Sequence, residues 1–272
     1  MNMPDDIVAI WGVPRSGTTW LGQIFNSSPK TIFRYQPLFS YTFKNRLSAQ
    51  STLGEIDLFF EELISTNDNF ILNGLADPSE KKRLNFSKNS ITPHMIMKHV
   101  RYHHVINNLL DKKKNIKIIG IIRNPCAVIN SWIRSPKEFD NRWDPRKEWQ
   151  FALKKNMNRI EEYYGFEKWK EATLLFHKLK KDYSDRFYLL RYEDLVNKPL
   201  EITKDIFSFT GIEFLKQTED FLLKCHEQHE ENQYAVFKDK SVVDKWKNQL
   251  DISIQDAIRD LLIGQDIDVY LH

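Results

Sequence analysis

Apolar residues in this chain fall into short dense runs separated by stretches with a three-to-four-residue period. The runs at 7–11, 32–35, 95–99, 116–122 and 187–190 are strand-like. The fourth, IKIIGII, is nearly continuous and rich in β-branched residues, as expected of a parallel strand covered on both faces. Between them the period predicts helices over 18–27, 54–65, 101–111, 125–134, 147–181, 199–209, 215–229 and 252–263. Strand then helix, repeated, predicts an α/β fold: a doubly wound parallel sheet flanked by helices on both faces, with right-handed crossovers.

Two regions break the alternation. Residues 67–93 and 135–146 are rich in Asn, Asp, Ser, Lys and Pro. They read as surface loops, or as loops that shape a substrate cleft, where long connections in such sheets often lie. There is no repeat, low-complexity tract or Gly/Ser linker, and nine glycines and ten prolines are scattered along 272 residues. One domain spanning 1–272 is therefore expected.

Charge narrows the partners. Forty basic residues against 37 acidic ones give +3, so nothing points to nucleic acid, and Lys112–Lys114 or the lysines at 178–181 read as solvated helix and loop ends. Two cysteines far apart, Cys126 and Cys225, argue against a disulfide framework and for a reducing cytoplasm. Residues 1–6 lack the basic and long apolar parts of a signal peptide, and no window approaches 18 uninterrupted apolar residues, so no membrane-spanning segment is expected.

The chemistry begins at IVAIWGVPRSGTTWLGQIF, residues 7–25. A strand ends at Trp11, and a loop from Gly12 to Gly17 leads into a helix. Two glycines let the backbone turn and aim its N–H groups at an anion. The helix N-terminus adds partial positive charge, Ser16, Thr18 and Thr19 add hydroxyls, and Arg15 adds a cation. The spacing is G-x-x-x-x-G-T-T, a P-loop-like cradle with threonine where a nucleoside-triphosphate loop has lysine. A second basic element is IIGIIRNPCAVINSW. Arg123 ends a buried strand, Asn124 suits a helix N-cap, Pro125 suits the first helical position, and Ser131 shares the Asn124 face of the helix. By itself Arg123 could equally cap a sheet edge.

GVPRSGTTWL resembles the 5′-phosphosulfate loop of the sulfotransferase family, whose donor is 3′-phosphoadenosine 5′-phosphosulfate (PAPS). The resemblance implies a P-loop-like parallel sheet and a donor site without a β,γ-phosphate chain or a bridging metal, so the kinase-type lysine is dispensable. It implies that Arg15, Ser16, Gly17, Thr18 and Thr19 hold the 5′ end and that Arg123 and Ser131, eight residues apart, hold the 3′-phosphate. LLRYEDLVNKPLE resembles the family's next strand-to-helix segment, which places Tyr192 in the nucleotide pocket; Glu193 and Asp194 read as turn and packing residues. FKDKSVVDKWKNQL resembles the segment that closes over the nucleotide, with Lys238 or Lys240 in place of the usual arginine and without its glycine. Trp246 and Lys247 serve as alignment anchors there. Trp20 matches a tryptophan that stacks on adenine, or packs in the core. Taken together, the resemblance runs from about residue 7 to about 250.

A general base is needed at the acceptor. The family's carbohydrate enzymes have glutamate in a stretch reading EPL; here the stretch is QPL, with Gln36. Cytosolic members have K-T-H at a strand end; here Lys98-His99 stands there, one residue shorter, making His99 the expected base and Lys98 a sulfuryl ligand, with His94, His103 and His104 as alternatives. QPL and K-x-x-R in MIMKHVRYHH resemble the carbohydrate branch. An anchorless chain rich in Lys, Asn and Ile looks bacterial, so the expected acceptor is a glycan or glycolipid hydroxyl, with a small-molecule alcohol or amine as the alternative. A P-loop small-molecule kinase is the competing class, but it needs a loop lysine and an acidic strand end. Cys126 reads as a packing residue. His226 and His229, i,i+3 in a charged helix end, read as a solvated face, and no metal is expected.

Overall fold

Five apolar runs become five strands in the computed structural model, which describes residues 6–74, 84–227 and 243–271. They are β1 (Asp6–Trp11), β2 (Thr31–Tyr35), β3 (His94–His99), β4 (Ile116–Ile122) and β5 (Phe187–Arg191). All pair in parallel in the order β2-β3-β1-β4-β5, so β1 is central between β3 and β4. Side chains alternate between faces along each strand. Ile7, Ala9 and Trp11 enter one core with Met95 and Met97, while Val8 and Ile10 enter the other with Ile96, Ile119 and Ile121.

The first core is covered by helices Leu53–Ile64, Ile106–Lys112, Pro125–Ile133, Phe166–Asp182 and Ile252–Leu262. The second is covered by Thr18–Asn26, Pro199–Thr210 and Lys216–Glu227. Burial on both faces explains why the strands read as continuous apolar runs; each fully buried Ile contributes about 1.5–3 kcal/mol. Gly120 in β4 sets the spacing to the first layer. A Cβ there would sit 2.6 Å from the Phe187 ring and 2.9 Å from Phe176 on helix Phe166–Asp182.

The strands match the expected spans to within one residue at either end. Two helical expectations change. The span 101–111 starts as a tight turn, His103–Val105, and becomes α-helical only at Ile106. The single helix expected over 147–181 is three: Pro145–Glu148, Leu153–Asn156 and Phe166–Asp182. The cause is a side-chain bridge that apolar period does not encode. Asn156 Nδ2 donates to Tyr164 O (2.9 Å) and Asn156 Oδ1 accepts from Tyr164 N (3.1 Å), folding the chain back on itself. Ala152, Met157 and Asn158 adopt left-handed φ values of 49°, 47° and 55° to do so. Among the described residues of 67–93 there is a short helix, Asn69–Asn73, and 135–146 is mostly irregular until Pro145.

Candidate functional site

Among the described residues, the elements predicted to carry chemistry leave the sheet at the same edge. The loop 12–17 follows β1, Lys98 lies near the end of β3, Arg123 follows β4 and Tyr192 follows β5. Ligands of open parallel sheets bind at this carboxyl edge, where strand order reverses.

The helix Thr18–Asn26 begins there without a side-chain cap and without an acidic residue in its first turn. Five other helices carry side-chain caps, from Thr52 (with Glu55 in a capping box), Asp68, Asn124, Asp144 and Asp251, while several, among them Phe166–Asp182 and Pro199–Thr210, start without one as this helix does. The open end leaves N–H groups and partial positive charge for an outside anion. Gly17 is the N-cap, at φ 96°, and a Cβ there would meet the Tyr192 ring at 2.4 Å. Tyr192 thus forms the floor of the loop. Ser16, expected as a donor to the anion, instead turns its hydroxyl inward to Val13 O at 2.7 Å and fixes the turn. Thr18 is buried at the helix start, Thr19 is half-buried, and the half-buried Trp20 meets Tyr192 edge-on at 6.3 Å.

The two anion motifs meet. Arg15 has a left-handed backbone (φ 73°), and its Nε donates to Ser131 Oγ at 3.0 Å across 116 residues. Arg123 donates to Arg15 O at 3.0 Å, and its guanidinium carbon stands 4.7 Å from the Tyr192 ring centroid. The Arg123 carbonyl accepts from Trp169 Nε1 at 2.9 Å, pinning the strand end. Asn124 caps its helix through Ala127 N, and its own N–H donates to Glu193 Oε1 at 3.0 Å. Glu193 is therefore a buried structural acceptor, as its sequence context suggested.

Lys98 and His99 do not act side by side. Consecutive strand residues face opposite ways. Lys98 is 2% exposed, lies 4.4 Å from the Tyr35 ring centroid and packs its stem against the helix Thr18–Asn26 at Gly22. Burial, with Arg101 and Arg15 nearby and despite Glu138, lowers its pKa to about 7. His99 faces the other layer and stacks on Trp11 at 4.5 Å. Burial and then Lys98 push its pKa down to about 3, and its Nε2 is buried without a hydrogen-bond partner. His103 is also sealed in that layer, stacked on Tyr163 at 3.8 Å. The geometry does not bring His99 into the charged group around Arg15.

Several members of that group were not singled out by sequence. Arg101, the arginine of K-x-x-R, donates to Glu162 Oε2 at 2.8 Å and to Tyr164 OH at 3.3 Å, with Phe39 over its guanidinium at 4.0 Å. Glu138 lies 3.8 Å from Arg15, and Lys155 stands 4.9 Å from the Tyr164 ring centroid. K-x-x-R was a usable signal for Arg101. Glu162, Tyr164 and Lys155 were hidden within the span read as one helix. Gln36, at the end of β2, is buried with Oε1 unpartnered, an acceptor that a bound donor group would satisfy. Lys238 and Lys240 lie outside the described residues. Among the described residues no cluster of three or more His, Cys, Asp or Glu could hold a metal, and no helix is long and apolar enough to cross a membrane.

Comparison with known proteins agrees with this architecture. The chain is 28% identical to mouse (Mus musculus) carbohydrate sulfotransferase 5 over 145 residues, covering 47% of this chain and 34% of that protein. It spans about a third of the length of the curated relatives it matches. Mouse sulfotransferase SULT7A1 complexed with PAP superposes with a TM-score of 0.59 at 16% identity, over 100% of this chain and 88% of that one. The sulfotransferase domain of the Synechococcus PCC 7002 olefin synthase does so with 0.53 at 20% identity, covering 96% of each chain. Residues 4–263 match the sulfotransferase domain family, and the chain belongs to that family.

Proposed function

We propose that the protein transfers a sulfuryl group from PAPS to an acceptor hydroxyl. The observation that carries this reading is the convergence of Arg15, Lys98, Arg123 and Ser131 on one uncapped helix N-terminus at the carboxyl edge of the sheet. The site fits the donor. Gly17 lets the loop lie directly against the Tyr192 ring, the uncapped helix start offers its N–H groups to an anion, and the loop carries no triphosphate-type lysine. Arg15 and the helix N-terminus stabilise charge on the leaving 5′-phosphate oxygen, and Lys98 neutralises the sulfuryl oxygens. Arg123 holds the 3′-phosphate; Ser131, which accepts from Arg15 without ligand, can turn its hydroxyl to the same group. Thr18 and Thr19 lie at the helix start beside the 5′ end, and Trp20 with Tyr192 forms the wall for the base. Lys238 or Lys240 is read as the covering cation.

The acceptor we favour is a sugar hydroxyl on a glycan or glycolipid. It is supported by similarity to a carbohydrate sulfotransferase, and by Gln36 and Arg101, polar groups at the open ends of β2 and β3. Cys126 and Cys225, both buried and unbridged, suit a reducing cytoplasm.

Calorimetric titration tests the donor assignment. Adenosine 3′,5′-bisphosphate (PAP) should bind without divalent metal, and 5′-AMP more weakly by roughly 1.5–3 kcal/mol per lost charged contact. Tighter binding of ATP with Mg²⁺ than of PAP would replace this reading with a kinase.

A further inference from the structure

Sulfuryl transfer needs a group to remove the acceptor's proton, and neither Gln36 nor His99 supplies it. Gln36 cannot accept a proton at useful pH. His99 lies on the other face of β3, stacked on Trp11. Glu162 is held by Arg101, Glu193 by Asn124 N–H, and Asp140 by Arg142.

We propose that Glu138 is the general base, a role that rests on the sulfotransfer reading above. Its backbone is fixed on both sides. Glu138 N donates to Ser135 O at 2.9 Å, and Glu138 O accepts from Trp132 Nε1 at 3.3 Å. Trp132 and Phe139 pack edge to face at 5.1 Å, anchoring the turn after helix Pro125–Ile133. From there the carboxylate reaches to 3.8 Å from Arg15 NH1 with its side chain 18% exposed. It thus faces the loop cation through Oε1, with Oε2 buried and the rest of the side chain partly exposed. Its charge is felt by Lys98, Arg101, Lys155 and Tyr164, placing it among the groups of β3 and of the chain reversal at 152–164.

The step balances. The acceptor oxygen forms a bond to sulfur as the bond from sulfur to the 5′-phosphate oxygen breaks. The acceptor's proton passes to a Glu138 carboxylate oxygen and then to solvent. An incoming donor also competes with Glu138 for Arg15, which turns the carboxylate towards the acceptor as the donor seats.

The test compares wild type, Glu138→Gln and Glu138→Asp on PAPS with three acceptors: methyl N-acetylglucosaminide, water, and 4-nitrophenol at a pH where it is already ionised. A base is needed for the first two and not for the third. Glu138→Gln should lose about 10²-fold or more in kcat towards sugar and water, lose the acid limb of the pH profile, and stay within about threefold on 4-nitrophenolate. Glu138→Asp should recover part of the loss. PAP affinity should stay equal or tighten, because a competing negative charge is gone; a merely structural residue would weaken it. Retained sugar or water turnover in Glu138→Gln overturns the proposal, as does a proportional loss on 4-nitrophenolate. If neither organic acceptor is used, hydrolysis decides. A wild-type protein that binds PAP yet consumes no PAPS with any acceptor rejects sulfotransfer itself, and Glu138 as base with it.

Discussion

On the proposed reading, a buried lysine whose pKa sits near neutrality should make nucleotide binding a proton-uptake reaction. Burial and neighbouring arginines bring Lys98 to about 7. Without ligand, about a tenth of it is protonated at pH 8 and about a hundredth at pH 9. An anion against the ammonium favours the charged form, so binding drives a proton onto Lys98. If the bound state stays protonated to about pH 10, PAPS binding takes up about 0.9 proton at pH 8, and affinity falls about 50-fold from pH 7 to pH 9, or roughly 2.3 kcal/mol. The ligand does not confuse the reading, since its phosphate loses its last proton near pH 6. Calorimetry in buffers of different ionisation enthalpy counts the proton, and Lys98→Met should remove both the uptake and the slope. The sign in the free protein is independent of ligand. The folded pKa lies below the unfolded 10.5, so the unfolded chain binds more protons between about pH 7 and 10.5, and stability should rise with pH across that window. Uptake near zero at pH 8, or an unchanged slope in Lys98→Met, would refute the placement of the anion on Lys98.

Arg15→Ala should lower turnover by about 10²–10³ at saturating PAPS, measured as kcat; a change confined to KM would make Arg15 a binding residue only. Gly17→Ala forces a side chain at φ 96° and against Tyr192, so it should cost about 1–3 kcal/mol in denaturant unfolding and weaken PAP binding. Glu162→Gln leaves the Arg101 guanidinium buried without its charge partner and should cost about 3–5 kcal/mol in the same assay, whereas loss of under about 1 kcal/mol would show that Arg101 finds another partner.

What sequence could show depended on whether the signal was local. β4 was legible because burial on both faces leaves an uninterrupted apolar run. The loop 12–17 was legible because its glycines and hydroxyls must sit at fixed spacing. The meeting of Arg15 with Ser131 was only partly so: the motifs could be named, but their contact depends on the order of β1 and β4 in the sheet. Lys98 and His99 were read together because they adjoin in sequence, whereas neighbours on a strand face opposite ways. The helix break at 149–165 depends on one asparagine gripping a backbone eight residues away, which periodicity averages out. Glu138 lay in a stretch read either as a surface loop or as one that shapes the cleft, and which cation it faces is set by the fold rather than by the stretch itself.

The strand order carries a consequence for biosynthesis. β1 is made first, but its partners are β3 and β4: Asp6 pairs with His94 and Ile7 with Ile116. β2, the next strand made, is not its neighbour. At a synthesis rate of about 5–20 residues per second, the apolar run of β1 waits on the order of 5–20 s for both flanks to exist. Nascent chains halted before β3 should therefore hold β1 as an unpaired, protease-sensitive segment that chaperones can bind, and protection should appear only once β4 has left the ribosome.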